Sequence, residues 1–297
     1  MTDIEEPLRQ DSTGARSASA PVLTVIEPEA FAPLGRLGEW LFACGARLRV
    51  VRPWQGESIP DLADVGDGLV LLGGAMSAHD DDAHPWLADL RHLVRRVVEE
   101  RVPTVAICLG AQVAAEALGG ATAVPSPHGP ENGVVDIELT EAATKDPFLA
   151  PIIDAAVRAA VRTGVPTQDG THLPVIVSHA DGVARLPEEA TLLATSDAAP
   201  IHAWRVGRLL ALQHHPESTP ARIEHWQARN AAREMGLDLE GQAGETMDDA
   251  DLPAEAVEAG RQARAEAERV DAVIQAFGRE LARQLVLSAR AYAVTRR

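Results

Sequence analysis

Cys108 is the residue of this sequence best placed to act as a nucleophile. It follows the apolar run Thr104–Ile107, which is typical of a buried strand, and precedes the helix-forming segment Leu109–Leu118. A strand-to-helix turn puts the thiol beyond the carboxyl end of a sheet, where the positive end of the helix dipole favours a thiolate. Gly110 leaves space for close backbone approach. The pattern predicts a nucleophile elbow with cysteine in place of serine, and a buried structural cysteine is the alternative.

A base for this thiol lies in the segment LLALQHHPES. Side chains two residues apart in an extended chain face the same side, so Glu217 could hold the ring of His215 in one tautomer and stabilise its charged form. These are the second and third roles in a cysteine–histidine–acid triad. His214, on the alternate face, is a rival base, and the spacing alone does not choose between the two. The structural alternative is a loop histidine beside an acid.

A glycine pair follows the apolar run Gly68–Leu72 and could complete such a site. Backbone N–H groups of Gly73–Gly74, together with the N–H of Leu109, would form an oxyanion hole for acyl transfer. Taken alone, a glycine pair indicates only a turn.

The elements that would position these residues alternate between short apolar strands and helices. Predicted strands are Val22–Ile26, Leu48–Val51, Gly68–Leu72 and Thr104–Ile107, and predicted helices are Phe31–Cys44, Trp86–Glu100 and Leu109–Leu118. This alternation predicts βαβ units, a mostly parallel sheet and helices on both faces.

The pattern changes after Gly133, where strands come closer together. They are predicted at Gly133–Leu139, Pro174–Ser178, Thr191–Thr195, Ile201–Val206 and Leu209–Gln213, with a helix at Asp154–Gly164 and a loop at Val165–His172. The last four strands leave little room for helices between them. Part of the sheet is therefore expected to be antiparallel.

Three regions are predicted along the chain. Residues 1–20 form a disordered tail because they cannot bury enough apolar surface. Residues 21–220 form the α/β domain, and 221–297 form a helical C-terminal extension. The last helix carries an apolar stripe that includes Val273, Phe277 and Leu281, which predicts packing on the main domain; a dimer or partner contact is the alternative.

Composition excludes several classes of function. A formal net charge of −17 does not attract nucleic acid or an anionic membrane surface. Two cysteines make no disulfide framework, the N-terminus lacks the apolar core of a signal peptide, and no apolar run reaches the length that spans a bilayer. We therefore expect a cytoplasmic protein.

Other residues that attract attention have plainer interpretations. Cys44, on a helix with apolar neighbours, is predicted to lie in the core. The run His79–His84 could be drawn as a metal site but is better explained as a solvated loop at the active-site rim. The sequence has no GxxxxGK[ST] phosphate loop, so this chain does not activate an acceptor with ATP by itself. No metal and no cofactor is expected.

Four ordered segments resemble the class I glutamine amidotransferases: LLGGAMS, AICLGAQ, SHADGVARLP and LQHHPE. Within that family they resemble single-domain proteins that are similar to the glutaminase part of GMP synthase. The likeness covers about 21–220 and implies a flavodoxin-like α/β fold with a γ-glutamyl thioester intermediate. By position it implies Cys108 as nucleophile, His215 as base, Glu217 as orienting acid, Gly74 and Leu109 as oxyanion donors, and Gln112, Ser178, Ala180 and Asp181 as glutamine-binding residues.

The sequence departs from the family pattern at three positions. Ala106 stands where glycine often precedes the nucleophile, and His214 replaces a common phenylalanine. Ala75 stands where proline usually follows the glycine pair. Alanine there predicts a less restrained oxyanion loop, and hence an isolated chain that is a slow or conditional glutaminase.

Three functions remain open at this point. The chain could be a glutaminase that delivers ammonia to a separate synthetase, or a stand-alone γ-glutamyl hydrolase acting on a larger amine or peptide. It could also be a non-catalytic binding protein on the same fold, which the intact triad argues against. The partners expected are glutamine or another γ-glutamyl substrate, a possible synthetase and a possible second copy of the chain.

Overall fold

The computed structural model of the chain describes residues 20–239 and 248–296. Its strands are β1 Val22–Ile26, β2 Arg47–Val51, β3 Gly68–Leu71, β4 Thr104–Ile107, β5 Ala121–Ala123, β6 Glu131–Leu139, β7 His172–His179, β8 Gly182–Arg185, β9 Thr191–Thr195, β10 Ala203–Val206 and β11 Leu209–Leu212. Its helices are α1 Gly35–Ala43, α2 Trp86–Glu99, α3 Leu109–Ala117, α4 Glu141–Lys145, α5 Ala150–Thr163, α6 Pro220–Glu234 and α7 Ala254–Thr295.

The large sheet in the described residues has the strand order β2-β1-β3-β4-β11-β10-β9-β6-β7. Strands β2, β1, β3, β4 and β11 are mutually parallel, whereas β10, β9, β6 and β7 continue the sheet by antiparallel pairing. A separate ribbon pairs β5 with β8. The predicted α/β fold with a mixed sheet is confirmed, including its antiparallel part.

Helices cover both faces of the sheet, which explains why β1, β3, β4 and β11 read as continuous apolar runs. One core layer lies between the sheet and α1, α5 and α7, with Val25, Val70 and Ile107 among its members. The other lies between the sheet and α2 and α3, and includes Leu71 and Leu109. A strand that is buried on both faces has no solvent-exposed side, so its residues do not alternate between apolar and polar.

The two C-terminal helices pack on the α/β domain. Val273, Phe277 and Leu281 of α7 belong to the same core layer as α1 and α5, as the apolar stripe predicts. Helix α6 contacts α7, β6 and β7. Proline at its first turn and a Thr219 side chain that accepts from Arg222 N at 3.1 Å define where α6 begins. The boundary between the domain and the extension at 220 stays a prediction.

Periodicity predicted that helix α1 begins at Phe31, but in the structure it begins at Gly35. Pro33 disfavours helical backbone at the residue before it. The carbonyl of Phe31 also accepts hydrogen bonds from Trp226 Nε1 and Arg222 Nη1, both at 3.1 Å. The segment between β1 and α1 therefore forms a loop beside the carboxyl edge of the sheet.

The predicted disordered tail lies almost wholly outside the described residues, as does part of the segment before α7. Among the helices that the structure describes, none is both long enough and apolar enough to cross a bilayer.

Candidate active site

Cys108 occupies the turn between β4 and α3 in a conformation that few residues other than glycine adopt, with φ 49° and ψ −110°. Its N–H donates to the carbonyl of Leu212 on β11 at 2.8 Å, and its side chain is 6% exposed. A Cβ on Gly110 would lie 2.7 Å from the carbonyl oxygen of Leu71, so only glycine lets α3 start so close to β3. Strained backbone of this kind, where the neighbouring strands hold it in place, is common at functional sites.

His215 and Glu217 form a buried pair in the loop after β11. The distance from His215 Nδ1 to Glu217 Oε1 is 2.7 Å, and both side chains are 3% exposed. The indole of Trp226 lies against the imidazole with ring centroids 4.7 Å apart. This is the same-side arrangement that the two-residue spacing predicts.

The imidazole of His215 and the side chain of Cys108 converge beside Gly73. A side chain on Gly73 would meet His215 Cε1 at 3.0 Å and Cys108 Cβ at 3.4 Å. Burial alone would lower the pKa of His215, but the Glu217 carboxylate and the Cys108 sulfur raise it to about 10. His215 Nε2 makes no hydrogen bond with a described residue. At neutral pH the ring therefore carries a proton next to the thiol.

His214 points away from this pair and belongs to a buried polar chain. Its Nδ1 lies 3.2 Å from Nε2 of His202, the two rings stack at 5.3 Å, and the edge of Phe277 packs against it. Burial and the charge of His215 lower the pKa of His214 to about 3. A neutral ring stacked in the core has no contact with Glu217, so the geometry selects His215 over His214 as partner of the acid.

The buried chain continues from His202 to His179, the last residue of β7. Ser196 Oγ lies 3.1 Å from His202 Nδ1 and donates to Glu131 Oε2 at 2.8 Å. Glu131 Oε2 lies 3.1 Å from His179 Nε2. Burial opposes ionisation, but hydrogen bonds from His179 and Ser196 keep the pKa of Glu131 below its usual value. The chain ties β10 to the end of β7.

The glycine pair lies directly beside the elbow. A side chain on Gly74 would meet Leu109 Cδ2 at 3.0 Å and Pro28 Cβ at 3.2 Å, so Gly74 packs between α3 and the loop after β1. The N–H of Ala75 donates to Glu29 Oε2 at 3.0 Å. Glu29 therefore supplies a contact that proline, without an N–H, cannot make. The expectation that alanine leaves this loop less restrained than proline stays a prediction.

The four residues expected to bind glutamine lie on α3 and around the end of β7. Gln112, one turn into α3, donates from Nε2 to the carbonyl of Asp181 at 3.1 Å, and Ala180 O accepts from Ser126 N at 2.9 Å. Burial, with a smaller effect from Asp80, raises the pKa of Asp181. Ser178 Oγ donates to Asn132 Oδ1 at 3.2 Å and accepts from Asn230 Nδ2 at 3.1 Å.

Gln213 is a site residue that the sequence analysis did not identify. Its Nε2 donates to Cys108 Sγ at 3.5 Å, and its Oε1 lies 3.4 Å from Gln112 Nε2. The signal was available, because Gln213 precedes His215 by two residues and so faces the same side of the chain. Trp226 and Asn230 on α6 were also missed, since they lie beyond every motif.

A family model for class I glutamine amidotransferases matches residues 37–234. This chain belongs to that family. The match contains the elbow, the histidine–glutamate pair and helix α6.

Relatives of the family support the assignment at moderate identity. The glutamine amidotransferase-like protein YfeJ of Salmonella typhimurium is 31% identical over 200 residues, which cover 66% of this chain and 75% of YfeJ. Gamma-glutamyl peptidase 5 of Arabidopsis thaliana is 30% identical over 178 residues, 58% of this chain and 62% of the plant protein. GMP synthases also match, but the aligned parts cover only 20–32% of their length.

The fold agrees with solved amidotransferase structures. A glutamine amidotransferase from Methylobacillus flagellatus superposes with a TM-score of 0.66 over 91% of this chain and 96% of that one, at 23% identity. At this identity the likeness establishes the fold.

Two polar residues of the run His79–His84 pair with charged side chains of this amidotransferase. His79 Nε2 lies 2.9 Å from Glu116 Oε1, and Asp81 pairs with Arg91. Within residues 20–239 and 248–296, no three His, Cys, Asp or Glu side chains are grouped as metal ligands. Cys44 is half-buried at the end of α1, before β2, and so lies at the opposite edge of the sheet from Cys108.

Proposed function

We propose that this amidotransferase hydrolyses the side-chain amide of glutamine through a thioester on Cys108. The thiolate attacks the amide carbon, His215 gives its proton to the leaving nitrogen, and the C–N bond breaks to release ammonia. His215 then takes a proton from water, which attacks the thioester and frees glutamate and the thiolate. Each step uses a side chain or backbone donor of this chain.

The observation that carries the proposal is geometric: the His215 ring, held at 2.7 Å by Glu217, converges beside Gly73 with a cysteine on a strained elbow. The raised pKa of His215 agrees with this arrangement. A protonated imidazole beside a sulfur is the charge state that accompanies a thiolate. The same proton is then available for the leaving amine. A merely structural cysteine needs neither the partner nor the strained backbone.

Backbone donors would stabilise the tetrahedral intermediate. We assign this role to the N–H groups of Gly74 and Leu109, because Gly74 packs against the Leu109 side chain beside the elbow. One such donor contributes about 10²–10³-fold to kcat in a comparable site. Gln112, Ser178, Ala180 and Asp181 would hold the amino acid end of the substrate, Ala180 and Asp181 through backbone groups.

A second candidate substrate is a γ-glutamyl amine or peptide larger than glutamine. The same thioester chemistry serves both substrates, since only the leaving amine differs. Two observations favour this candidate: the similarity to a gamma-glutamyl peptidase, and an oxyanion loop that Glu29 already restrains in the free chain. A stand-alone hydrolase needs an oxyanion hole that is in its working conformation without a partner protein.

Delivery of ammonia to a separate synthetase is the third arrangement compatible with the chemistry. Its support is the similarity to part of several GMP synthases, in which the aligned segment is a minor share of the whole protein. A non-catalytic binding role would leave the histidine–glutamate pair and the strained elbow without a purpose.

The test is a release assay with glutamine and a panel of γ-glutamyl amines and dipeptides, run beside Cys108→Ala. The proposal expects glutamate from at least one compound and none with the variant. Preference for glutamine supports the glutaminase, and preference for a larger compound supports the hydrolase. No glutamate from any compound, or equal release by Cys108→Ala, would refute the proposed chemistry.

A further inference from the structure

We infer that Glu29 is a positioning residue for the reaction, which holds the oxyanion loop Gly73–Ala75 in its working conformation through the backbone N–H of Ala75. The inference rests on the proposed function, because it concerns the donor that Gly74 supplies. It adds a residue from the loop between β1 and α1, which no motif of the site contains.

The contact acts next to the proposed donor. Glu29 Oε2 accepts from Ala75 N at 3.0 Å, and this N–H belongs to the peptide that joins Gly74 to Ala75. Fixing that peptide plane restricts rotation at Gly74, whose own N–H is the proposed oxyanion donor. Glycine is the residue with the greatest backbone freedom, so a restraint on its neighbour has more effect here than elsewhere.

Glu29 can act as a restraint because its own segment is anchored on both sides. Before it, Glu27 Oε1 bonds Arg52 Nε at 2.8 Å. After it, the carbonyl of Phe31 accepts from Trp226 and Arg222 of α6. A carboxylate on a loop that is anchored at both ends can restrain the neighbouring loop Gly73–Ala75.

The side of Gly74 that faces this segment is also closed. A side chain on Gly74 would lie 3.2 Å from Pro28 Cβ and 3.0 Å from Leu109 Cδ2. The glycine therefore lies between the Glu29 loop and the elbow. Because Ala75 is exposed, the hydrogen bond is open to water and its effect should be moderate.

The first arm of the test compares Glu29→Ala with Glu29→Gln. The alanine variant loses the acceptor, so kcat for the best γ-glutamyl substrate should fall on the order of 10-fold, less than the 10²–10³-fold cost of losing a donor outright. KM should change little, because the oxyanion forms only in the transition state. The glutamine variant keeps an acceptor oxygen and should retain most of kcat.

The second arm removes the N–H instead of its acceptor. Ala75→Pro has no donor at this position and limits rotation by its ring, so adding Glu29→Ala to it should cost nothing further. Asp248→Ala is the matched control, because Asp248 Oδ1 accepts from Ala250 N at 3.0 Å, an exposed contact of the same kind in the segment before α7. Its kcat should stay at the wild-type value.

Amide hydrogen exchange of the peptide containing Ala75 gives a readout that needs no activity. Exchange should be faster in Glu29→Ala than in wild type and Glu29→Gln. An unchanged kcat and exchange rate in Glu29→Ala, or the same loss with and without Ala75→Pro, would overturn the inference while leaving the proposed function intact. Loss of the proposed function itself would show as absent activity in wild type.

Discussion

At the scale of single residues, the clearest contrast is between two adjacent histidines. His215 is bonded to Glu217 and charged, whereas His214 is stacked on His202 and neutral. The resemblance implied His215 as the base, but the spacing alone could not rank the two, because ranking depends on which way each ring points in the loop after β11. The structure supplies that direction.

We predict that His215→Ala lowers kcat/KM by about 100-fold or more, the usual scale for losing a general acid–base group. His214→Phe should retain activity, because the phenyl ring fills the space of the imidazole and His214 makes no contact with Glu217. Steady-state hydrolysis of the best substrate measures both. If His214→Phe were the more damaging substitution, the assignment of the base would be wrong.

Gln213 offers a second prediction at this scale. Gln213→Glu keeps the size of the side chain but turns a donor to the Cys108 sulfur into a carboxylate, which opposes a thiolate. The alkylation rate of Cys108 at pH 7 should fall on the order of 10-fold, while that of Cys44 stays the same. An unchanged rate at Cys108 would show that the 3.5 Å contact does not matter.

At the scale of elements, the sequence predicts those strands, helices and turns that periodicity and glycine position determine. Strands β1, β4 and β9 begin and end where the apolar runs do, and the elbow follows from a strand meeting a helix. The ribbon β5–β8 was not predicted because β5 has three residues and depends on a partner 60 residues away. Glu29 was missed for a related reason, since a loop residue that meets another loop leaves no periodic signal.

The buried pair His202–His214 makes a prediction about acid stability. In the unfolded chain His214 has a pKa near 6.5, and in the folded chain it is lowered to about 3, so the unfolded state binds the extra proton as the pH falls below 6.5. This stability is present above 6.5 and is lost on acidification. Between pH 7.5 and pH 5, the unfolding free energy of wild type should fall by up to about 2 kcal/mol more than that of His214→Phe.

Urea unfolding of both proteins at the two pH values measures this difference. Both proteins retain His202, so its titration largely cancels in the comparison. Equal losses in wild type and His214→Phe would mean that His214 is not neutral in the folded state, and the buried chain would need a different charge assignment.

At the scale of the whole molecule, the C-terminal helices are part of the site's support. Phe277 of α7 packs on His214, and Trp226 of α6 packs on His215. Gly278 lets α7 approach the loop between these histidines and Glu217, since a Cβ there would lie 3.0 Å from the carbonyl of Pro216. Helices α6 and α7 therefore pack against the two histidines of the candidate site.

We predict that Phe277→Ala destabilises the protein by about 3–5 kcal/mol, the usual cost of removing a buried aromatic ring. Phe42→Ala is the matched control: Phe42 is 75% exposed, so its loss should change stability by no more than about 0.5 kcal/mol. Chemical denaturation with a constant m value measures both. Equal effects would mean that α7 does not pack as described.

The restrained oxyanion loop also changes what is expected of the isolated chain. Conditional activity was predicted from a less restrained loop, and the hydrogen bond from Ala75 N to Glu29 adds a restraint. The purified chain should therefore reach a kcat/KM of about 10⁴ M⁻¹s⁻¹ or above on its preferred γ-glutamyl compound without a partner. Activity that appears only after a synthetase is added would restore the conditional model.

The central claim is that Cys108 forms a γ-glutamyl thioester, and trapping that adduct tests it most directly. Wild type and Cys44→Ser would be quenched in acid during turnover and mapped by peptide mass spectrometry. The account predicts a γ-glutamyl adduct on Cys108 in both proteins, and neither adduct nor hydrolysis in Cys108→Ser. An adduct on Cys44, or undiminished hydrolysis in Cys108→Ser, would contradict it.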